Sequence, residues 1–534
     1  MFVRKKKNKG GTFSVLLVTS EWQPNKKHSN LRLIKNFGCA TNEEDLNALM
    51  QKANDYRNHL ILDAPKAKVL KIISNKDLKS CYSVNVGFKD IYGNLFNTVF
   101  KRFNLGLLDL QKLNDIVTMR IASPASKRKT AMLANEYGLN CQVDSIYKLM
   151  DRLTEGKIMQ AKQLLYQHTI NLLSAQQEVV DVIFYDLTTI YFETNEQTDL
   201  RDFGFSKDGK HQHVQIMLAV MVTKHGLPID YQEFPGNCYE GHTLLPVINK
   251  IKSRYKIEQI VLVADAALMS KINLQQLTAQ NIKYVIAARI KNTKKAIKQE
   301  ILALNSYQKV ATIINNDGEI EDLIKSKTID LPEGGSLVAY YSTKRAMKDA
   351  YDRERDLEKI KQYLGSTNKK QLTSKLKKAY VTVSKGAVVT LDLVKLNNAK
   401  QYDGFFGLQT NLEQIEPKAL LSAYRGLWQV EQTFRIIKSD LGIRPVFHYN
   451  TDRIKAHFLI CYISLALMRY VQFILAQHNI HYSCEQLNFF INQMRVMKIH
   501  HSDNTTYELL EDPPSELIEI YKILNISWRK KFSY

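Results

Sequence analysis

YRGLWQVEQTFRIIK, residues Tyr424 to Lys438, has no proline and only one glycine, near its start. It is expected to run as a helix of about four turns. At ~100° per residue, Tyr424, Trp428, Glu431, Arg435 and Lys438 fall within an arc of roughly 80°. Leu427, Val430, Phe434 and Ile437 form an adjoining apolar stripe suited to packing on a core. One face therefore presents an acid between an aromatic pair and two cations. Taken alone, this describes any solvated amphipathic helix with i,i+4 and i,i+7 ion pairs. The chain upstream changes that reading.

At Asp181 the apolar period switches. DVIFY (Asp181 to Tyr185) predicts a strand followed directly by Asp186, and QIVLVA (Gln259 to Ala264) predicts a strand ending at Asp265. HVQIMLAVMVT (His213 to Thr223) and Leu227 to Phe234 predict strands joined by a turn at His225-Gly226. Leu244 to Tyr255 and Ser270 to Ala279 predict helices, and YVIAA (Tyr284 to Ala288) a further buried strand. Strands alternating with helices give an α/β sheet of mixed pairing. Residues 291–385 are Lys-rich and read as a strand-containing insertion, with a strand at Leu337 to Ser342 and a charged helix from Arg345 to Leu364, rather than as a continuation of the sheet. Strands resume at Ala387 to Leu393 and at FFGLQT (Phe405 to Thr410), and a long helix is expected over Asp452 to Gln477. Upstream of Asp181, a strand is expected at Thr12 to Thr19 and helices at Thr41 to Tyr56, Leu107 to Arg120 and Lys157 to Val179. Ser126 to Tyr137 with Gly138 as C-cap, then a helix capped by Asp144 or Ser145 and reaching Leu153, resembles a helix-turn-helix carrying Lys148 and Arg152.

The 534 residues exceed one compact domain. The formal net charge of +22 points to a polyanionic partner. Cys39, Cys81, Cys141, Cys238, Cys461 and Cys484 lack CxxC spacing, the usage of a reduced chain rather than a disulfide framework. The basic start MFVRKKKNKGG is not followed by an apolar stretch with a cleavage site, and no GxxxxGK[ST] loop is present. The apolar run His457 to Gln477 carries Arg469 in its middle, which argues for a buried core helix over a membrane span. His211, His213, Cys238 and His242 match no compact zinc module.

Two strand-end carboxylates and a helix-borne Glu431 would make a cluster of like charges. Such a cluster needs cations to be stable, and hard oxygen ligands suit Mg²⁺ or Mn²⁺. The contexts YDLTTIYFE around Asp186 and VADAALMSKINLQQL around Asp265, together with GFSKDGK (Gly204 to Lys210), FPGN (Phe234 to Asn237) and DRIKAH (Asp452 to His457), occur in this order with the Tyr424–Lys438 segment. In that combination the chain resembles the DDE transposases of bacterial insertion sequences. That group has a ribonuclease-H-like core and a signature of Tyr, two residues, Arg, three residues, Glu, six residues, Lys. Tyr424, Glu431 and Lys438 fit the spacing. The Arg position holds Leu427, and Arg425 or Arg435 are the cations that could serve instead.

The resemblance spans about Asp181 to Gln477. It implies that Asp186, Asp265 and Glu431 are the catalytic triad, holding two Mg²⁺ ions with Mn²⁺ as a plausible substitute. It implies that Tyr424 and Lys438 contact phosphates, with Trp428, Phe405 and Phe406 as candidates to stack on a flipped base. Arg425, Arg435, Lys148 and Arg152 complete the expected DNA-binding set. The expected division is a mainly helical DNA-binding region at 1–165, catalytic core at 166–290 and 386–480, insertion at 291–385 and a helical tail at 481–534. The expected protein is an insertion-sequence transposase that binds terminal inverted repeats and performs metal-dependent cleavage and strand transfer by cut-and-paste. It would act as a homodimer on double-stranded DNA in the cytoplasm, associated with the nucleoid and not with a membrane. A DNA-binding regulator or domesticated relative lacking cleavage, which Leu427 favours, and a metal-dependent nuclease without strand transfer are the alternatives.

Overall fold

The computed structural model describes residues 2–8, 11–23, 28–62, 81–88, 91–137, 139–255, 260–268, 270–315, 317–365, 380–383, 389–493, 496–501, 506–510 and 513–526. Two compact units are present, one holding Met1–Val84 and Lys498–Leu509, the other Asn85–Met497 and Leu510–Lys531. In the first, β1 (Phe2–Lys7), β2 (Phe13–Gln23) and β3 (His28–Ala40) form an antiparallel sheet. The helix Glu43–Leu62 brings Leu46 and Ala53 into a small core with Val15 and Ala40. β4 (Cys81–Phe88) follows.

The second unit is organised by a nine-stranded sheet. β5 (Val182–Tyr191), β6 (Gln215–Thr223) and β7 (Pro228–Pro235) form an antiparallel meander, and β8 (Val261–Ala264) and β9 (Lys283–Ala287) lie parallel to β5. The order β7-β6-β5-β8-β9 is the ribonuclease-H-like arrangement. In the nearly all-apolar β6, period-2 alternation sends Ile216, Leu218, Val220 and Val222 to one core and Met217, Ala219 and Met221 to the other. The helices Leu244–Tyr255 and Lys271–Ala279 supply Leu244, Ile248, Leu274 and Leu277 to the second core. Ser270 caps the latter helix, its hydroxyl accepting from the Asn273 amide at 3.0 Å.

The helix Thr451–Ala476 fills the first core. It is long and apolar enough to cross a membrane by length and composition, yet it is largely buried inside the protein. Its Arg469 donates to the carbonyls of Gly226 (2.9 Å) and His225 (3.3 Å) and to Oε1 of Gln429 (2.7 Å) and Gln432 (3.1 Å). A buried guanidinium is tolerated because these acceptors satisfy its donors. The same bonds tie this helix both to the β6–β7 turn and to the segment that carries Glu431.

The stretch expected as a separate insertion instead extends the sheet. β10 (Gln308–Ile314), β11 (Ile320–Asp330) and β12 (Ser336–Ser342) form an antiparallel run. β13 (Val381–Val383) and β14 (Val389–Leu391) make a small ribbon of their own. β15 (Phe405–Thr410) then pairs antiparallel with β9 on one edge and with β12 on the other. Without β15, β9 would expose a row of unpaired backbone groups, and β15 carries the same requirement on to β12. The C-terminal stretch is also more than helical. Besides helices Cys484–Asn492 and Ser515–Ile523 it holds β16 (Val496–His501) and β17 (Thr506–Leu510), which form a sheet with β4 in the order β17-β16-β4. Strands of six and five residues are too short for alternation to stand out.

Other elements depart from their sequence periodicity. Leu107 to Arg120 is not one helix: a turn at Leu105–Leu108 and a helix Leu113–Ala122 are separated by Asp109 and Lys112, at φ 50° and 66°. The helix pair is present as Lys127–Leu133 with the turn Ala134–Tyr137, then Val143–Arg152. Its second helix starts after Gln142, so Asp144 lies in the first turn rather than at the cap, and Gly138 falls outside the described residues. The Tyr424–Lys438 segment is broken as well. Pro417–Arg425 and Trp428–Arg435 are separate helices, followed by a wider turn at Ile436–Asp440. Between the two helices the bonds tighten to three-residue spacing, Leu427 N to Tyr424 O and Gln429 N to Gly426 O, both 3.0 Å.

Gly426 explains the site of the break. A Cβ there would lie 2.5 Å from the Phe184 ring and 3.1 Å from the Ala423 carbonyl, so the backbone crosses close over β5. Phe184 is fully buried and cannot swing away. Gly426→Ala is therefore expected to destabilise the second unit by about 1–3 kcal/mol through overpacking. Denaturant unfolding monitored by tryptophan fluorescence, with Trp428 two residues away, measures it.

Candidate active site

The contact between Gly426 and Phe184 places the Glu431 segment on one face of β5. Two residues further along the strand, Asp186 lies on that same face. β5 does not end at Tyr185 as its apolar run predicts, but continues to Tyr191, so Asp186 is an interior strand residue paired opposite Val220. The parallel pairing of Val182, Ile183 and Phe184 with Val261, Leu262 and Val263, continued two residues, sets Asp265 beside Asp186 just past the end of β8. The Asp265 carboxylate accepts from the Ala267 amide at 2.8 Å.

Burial pushes the Asp186 carboxyl up to about 6, against the opposing pull of Lys207 and of the Leu187 amide that donates to it at 2.7 Å; the charges of Asp265 and Glu240 push the same way as burial. Lys207 Nζ lies 3.2 Å from Glu240 Oε1 and 3.9 Å from Asp186 Oδ1, and donates to the Leu187 carbonyl at 2.7 Å. A cation thus already sits among the acids. Glu240 was not singled out in the sequence. Its only signal is its place shortly after the FPGN motif, and the sheet brings it to Asp186.

The Glu431 segment keeps its two faces despite the break. Leu427, Val430, Phe434 and Ile437 are all buried, while Trp428, Glu431 and Arg435 are exposed and Tyr424 and Lys438 half-buried. Leu427 faces the core, where an arginine would need buried acceptors. Arg425 and Arg435 are exposed. The Tyr424 phenol is held above its ordinary range by burial and then by Asp265, Glu431 and Asp186, with Arg345 opposing. All three acids therefore act on one hydroxyl. They do not form a ready chelate: among the described residues, no three His, Cys, Asp or Glu side chains are grouped so as to hold a metal ion. The same holds for His211, His213, Cys238 and His242. The donor set nevertheless suits a hard divalent cation, and the Lys207 ammonium between Asp186 and Glu240 shows that the pocket takes positive charge.

Lys438 points at the loop before β6, its Nζ 3.2 and 3.3 Å from the two carboxylate oxygens of Asp208. Arg444 pairs with the same carboxylate. Lys148 and Arg152 are exposed on a helix whose Ile146, Leu149 and Met150 are buried. Arg152 donates to the Asp109 carbonyl at 3.2 Å, and the neighbouring Asp151 pairs with Arg453. Phe405 is a core residue, whereas Phe406 stacks on Tyr340 with ring centroids 5.1 Å apart, beneath the Arg345 guanidinium. Trp428 is the most open aromatic of the Glu431 segment, at 53% exposure.

The family model for the transposase DDE domain matches residues 180–467, a span that includes Asp186, Asp265 and Glu431. The chain belongs to this family. No curated protein sequence matches it. Among solved structures, a piggyBac transposase synaptic complex with hairpin DNA is similar at 10% identity and a TM-score of 0.35, over 74% of this chain and 70% of that one. A Mos1 transposase paired-end complex with the left transposon end is similar at 10% identity and a TM-score of 0.15, over 33% and 56%. At these scores the two structures add nothing to the family match.

The raised Asp186 carboxyl has a defined sign in stability. Its folded value lies above its ordinary value of 3.8, so its contribution is fully present below 3.8 and is lost as pH rises through about 6. Asp186→Asn removes that loss. In metal-free protein at about pH 7.5, the substitution is expected to stabilise the second unit by about 1–3 kcal/mol. The gain should shrink as pH is lowered from 6 toward 4. Thermal melts of both proteins in chelator across that range test the sign, and a gain independent of pH would contradict it.

Proposed function

We propose that the protein is the transposase of a bacterial insertion sequence, of the Tyr-Arg-Glu-Lys signature group. It binds the element's terminal inverted repeats, cleaves DNA and transfers the exposed 3′-OH to a target. The observation that supports this reading is the transposase DDE domain matched over residues 180–467, with the β5–β8 register setting Asp265 beside Asp186, in a chain of net charge +22. Residues 1–165 bind the element ends, with Lys148 and Arg152 toward DNA. Residues 166–290 and 386–480 form the catalytic core, whose sheet the stretch 291–385 extends through β10, β11 and β12, and 481–534 form the tail. Two ends must be handled together, which calls for a homodimer on double-stranded DNA, in the cytoplasm at the nucleoid and away from membranes.

Asp186, Asp265 and Glu431 would hold two Mg²⁺ ions, for which Mn²⁺ can substitute. Bound there, such ions lower the pKa of an attacking water or 3′-OH and stabilise the leaving oxygen. The chain's own groups orient the DNA. Tyr424 is kept protonated by burial and by the surrounding acids, so its hydroxyl remains a donor to a phosphate oxygen. Lys438 supplies a point charge to the backbone, and Arg425 or Arg435 takes the role of the signature arginine. Trp428 offers an open ring face to an unpaired base. No covalent protein–DNA bond is required, because positioning carries the in-line displacement.

Asp186→Ala, Asp265→Ala and Glu431→Ala should each lower Mg²⁺-dependent nicking of supercoiled plasmid carrying the element ends by about 10³-fold or more, with end binding retained. Joining of a 3′-OH oligonucleotide to plasmid by the unmodified protein separates a transposase from a nuclease. Retained nicking in one variant removes that residue from the triad, and nicking without joined product favours the nuclease.

A further inference from the structure

Two consecutive residues in the loop before β6, Lys207 and Asp208, meet groups of opposite charge. Lys207 lies on Asp186 and Glu240. Asp208 lies on Lys438 and Arg444. The loop is held by short bonds of its own: the Lys207 amide donates to Thr189 Oγ1 at 3.0 Å, and the Lys210 amide to Ser206 Oγ at 3.0 Å. It turns at Gly209, whose φ of 70° suits a residue without a Cβ. Lys438 and Asp208 are only 11% and 15% exposed and Arg444 25%, so these charges meet where water screens them weakly.

A carboxylate chelated by a lysine and an arginine has the charge and the oxygen spacing of one phosphodiester group. Two cations on one anion leave the site net positive. Lys210 and Arg444 both lie over the Tyr191 ring, 5.6 and 5.8 Å from its centroid, which adds a third cation at the rim. We propose that Lys438 and Arg444 form a phosphate site for the DNA backbone and that the Asp208 carboxylate is its internal occupant in the DNA-free protein. The proposal rests on the DNA-processing reading above and extends it to Arg444 and Asp208, which that reading leaves without a role.

The test is equilibrium binding in chelator, where no cleavage occurs, read by fluorescence anisotropy of a labelled duplex carrying an element end. Asp208→Asn keeps the shape but removes the competing charge. It should tighten duplex binding by about three- to tenfold. Arg444→Gln should weaken binding and lower the salt slope by about one. In the Arg444→Gln background, where only Lys438 remains to be freed, Asp208→Asn should give a smaller gain. Pyrophosphate, as a competitor of the duplex, should act at lower concentration on Asp208→Asn than on the unmodified protein. Unchanged or weaker duplex binding by Asp208→Asn, or an undiminished gain without Arg444, overturns the proposal and leaves the plasmid-nicking result standing. A gain for pyrophosphate with none for duplex overturns DNA as the occupant and also counts against the DNA-processing reading. If Asp208→Asn fails to fold, the Arg444→Gln salt slope decides alone: a slope equal to that of the unmodified protein overturns the site.

Discussion

A carboxylate carried in the interior of a sheet strand has to be neutralised, and much of the local structure follows from how Asp186 is treated. Its charge is opposed by burial and by the charges of Asp265 and Glu240. Lys207 and the Leu187 amide lower that cost. Lys207 can reach the acids because the loop that carries it is tied to β5 through Thr189 and the Leu187 carbonyl. Its neighbour Asp208 then sits within reach of Lys438 and Arg444. Acids gathered from three parts of the chain are thus linked, through Lys207 and Asp208 in a loop about twenty residues after Asp186, to two cations more than two hundred residues away.

The second organising element is the helix Thr451–Ala476. It is apolar on nearly every side because it is surrounded, with the sheet and the Glu431 segment on one side and helices such as Leu113–Ala122 and Val143–Arg152 on others. Arg469 is the exception to its composition and the reason it has a fixed place. Four of its bonds join a strand turn to the helix bearing Glu431, so the position of that acid over the sheet is set from behind by a residue that never touches it. From the front, the missing side chain of Gly426 allows the backbone to descend onto Phe184.

Several features could be read from the residues alone. Continuous apolar runs located β6, β9 and β15 to within a residue or two, because strands buried on both faces leave long unbroken signals, and the His225-Gly226 turn located β7. The apolar stripe Leu427, Val430, Phe434 and Ile437 is buried as its spacing required, even though the helix is interrupted. The end of β5 was misplaced because Asp186 is polar and a strand was expected to stop there; the polar Thr188 and Thr189 that follow Leu187 are covered by tertiary contacts. The attachment of β12 to β15 was hidden since strand pairing across some 65 residues is a matter of which edge is open, and edges are invisible in a linear pattern.

By itself the sequence determined the class of the core, the family to which the chain belongs and the identity of the three acids worth asking about, since these rest on local periodicity and on short motifs in a fixed order. Only the tertiary structure decided what surrounds those acids. Glu240 and Arg444 are ordinary charged residues in ordinary contexts, Lys207 and Asp208 stand in GFSKDGK without a partner legible in the motif, and the meaning of all four comes from close contacts between groups far apart in the chain. Coulomb energy depends on separation and burial rather than on sequence spacing, so the cation among the acids and the anion among the bases could be found only in the folded molecule.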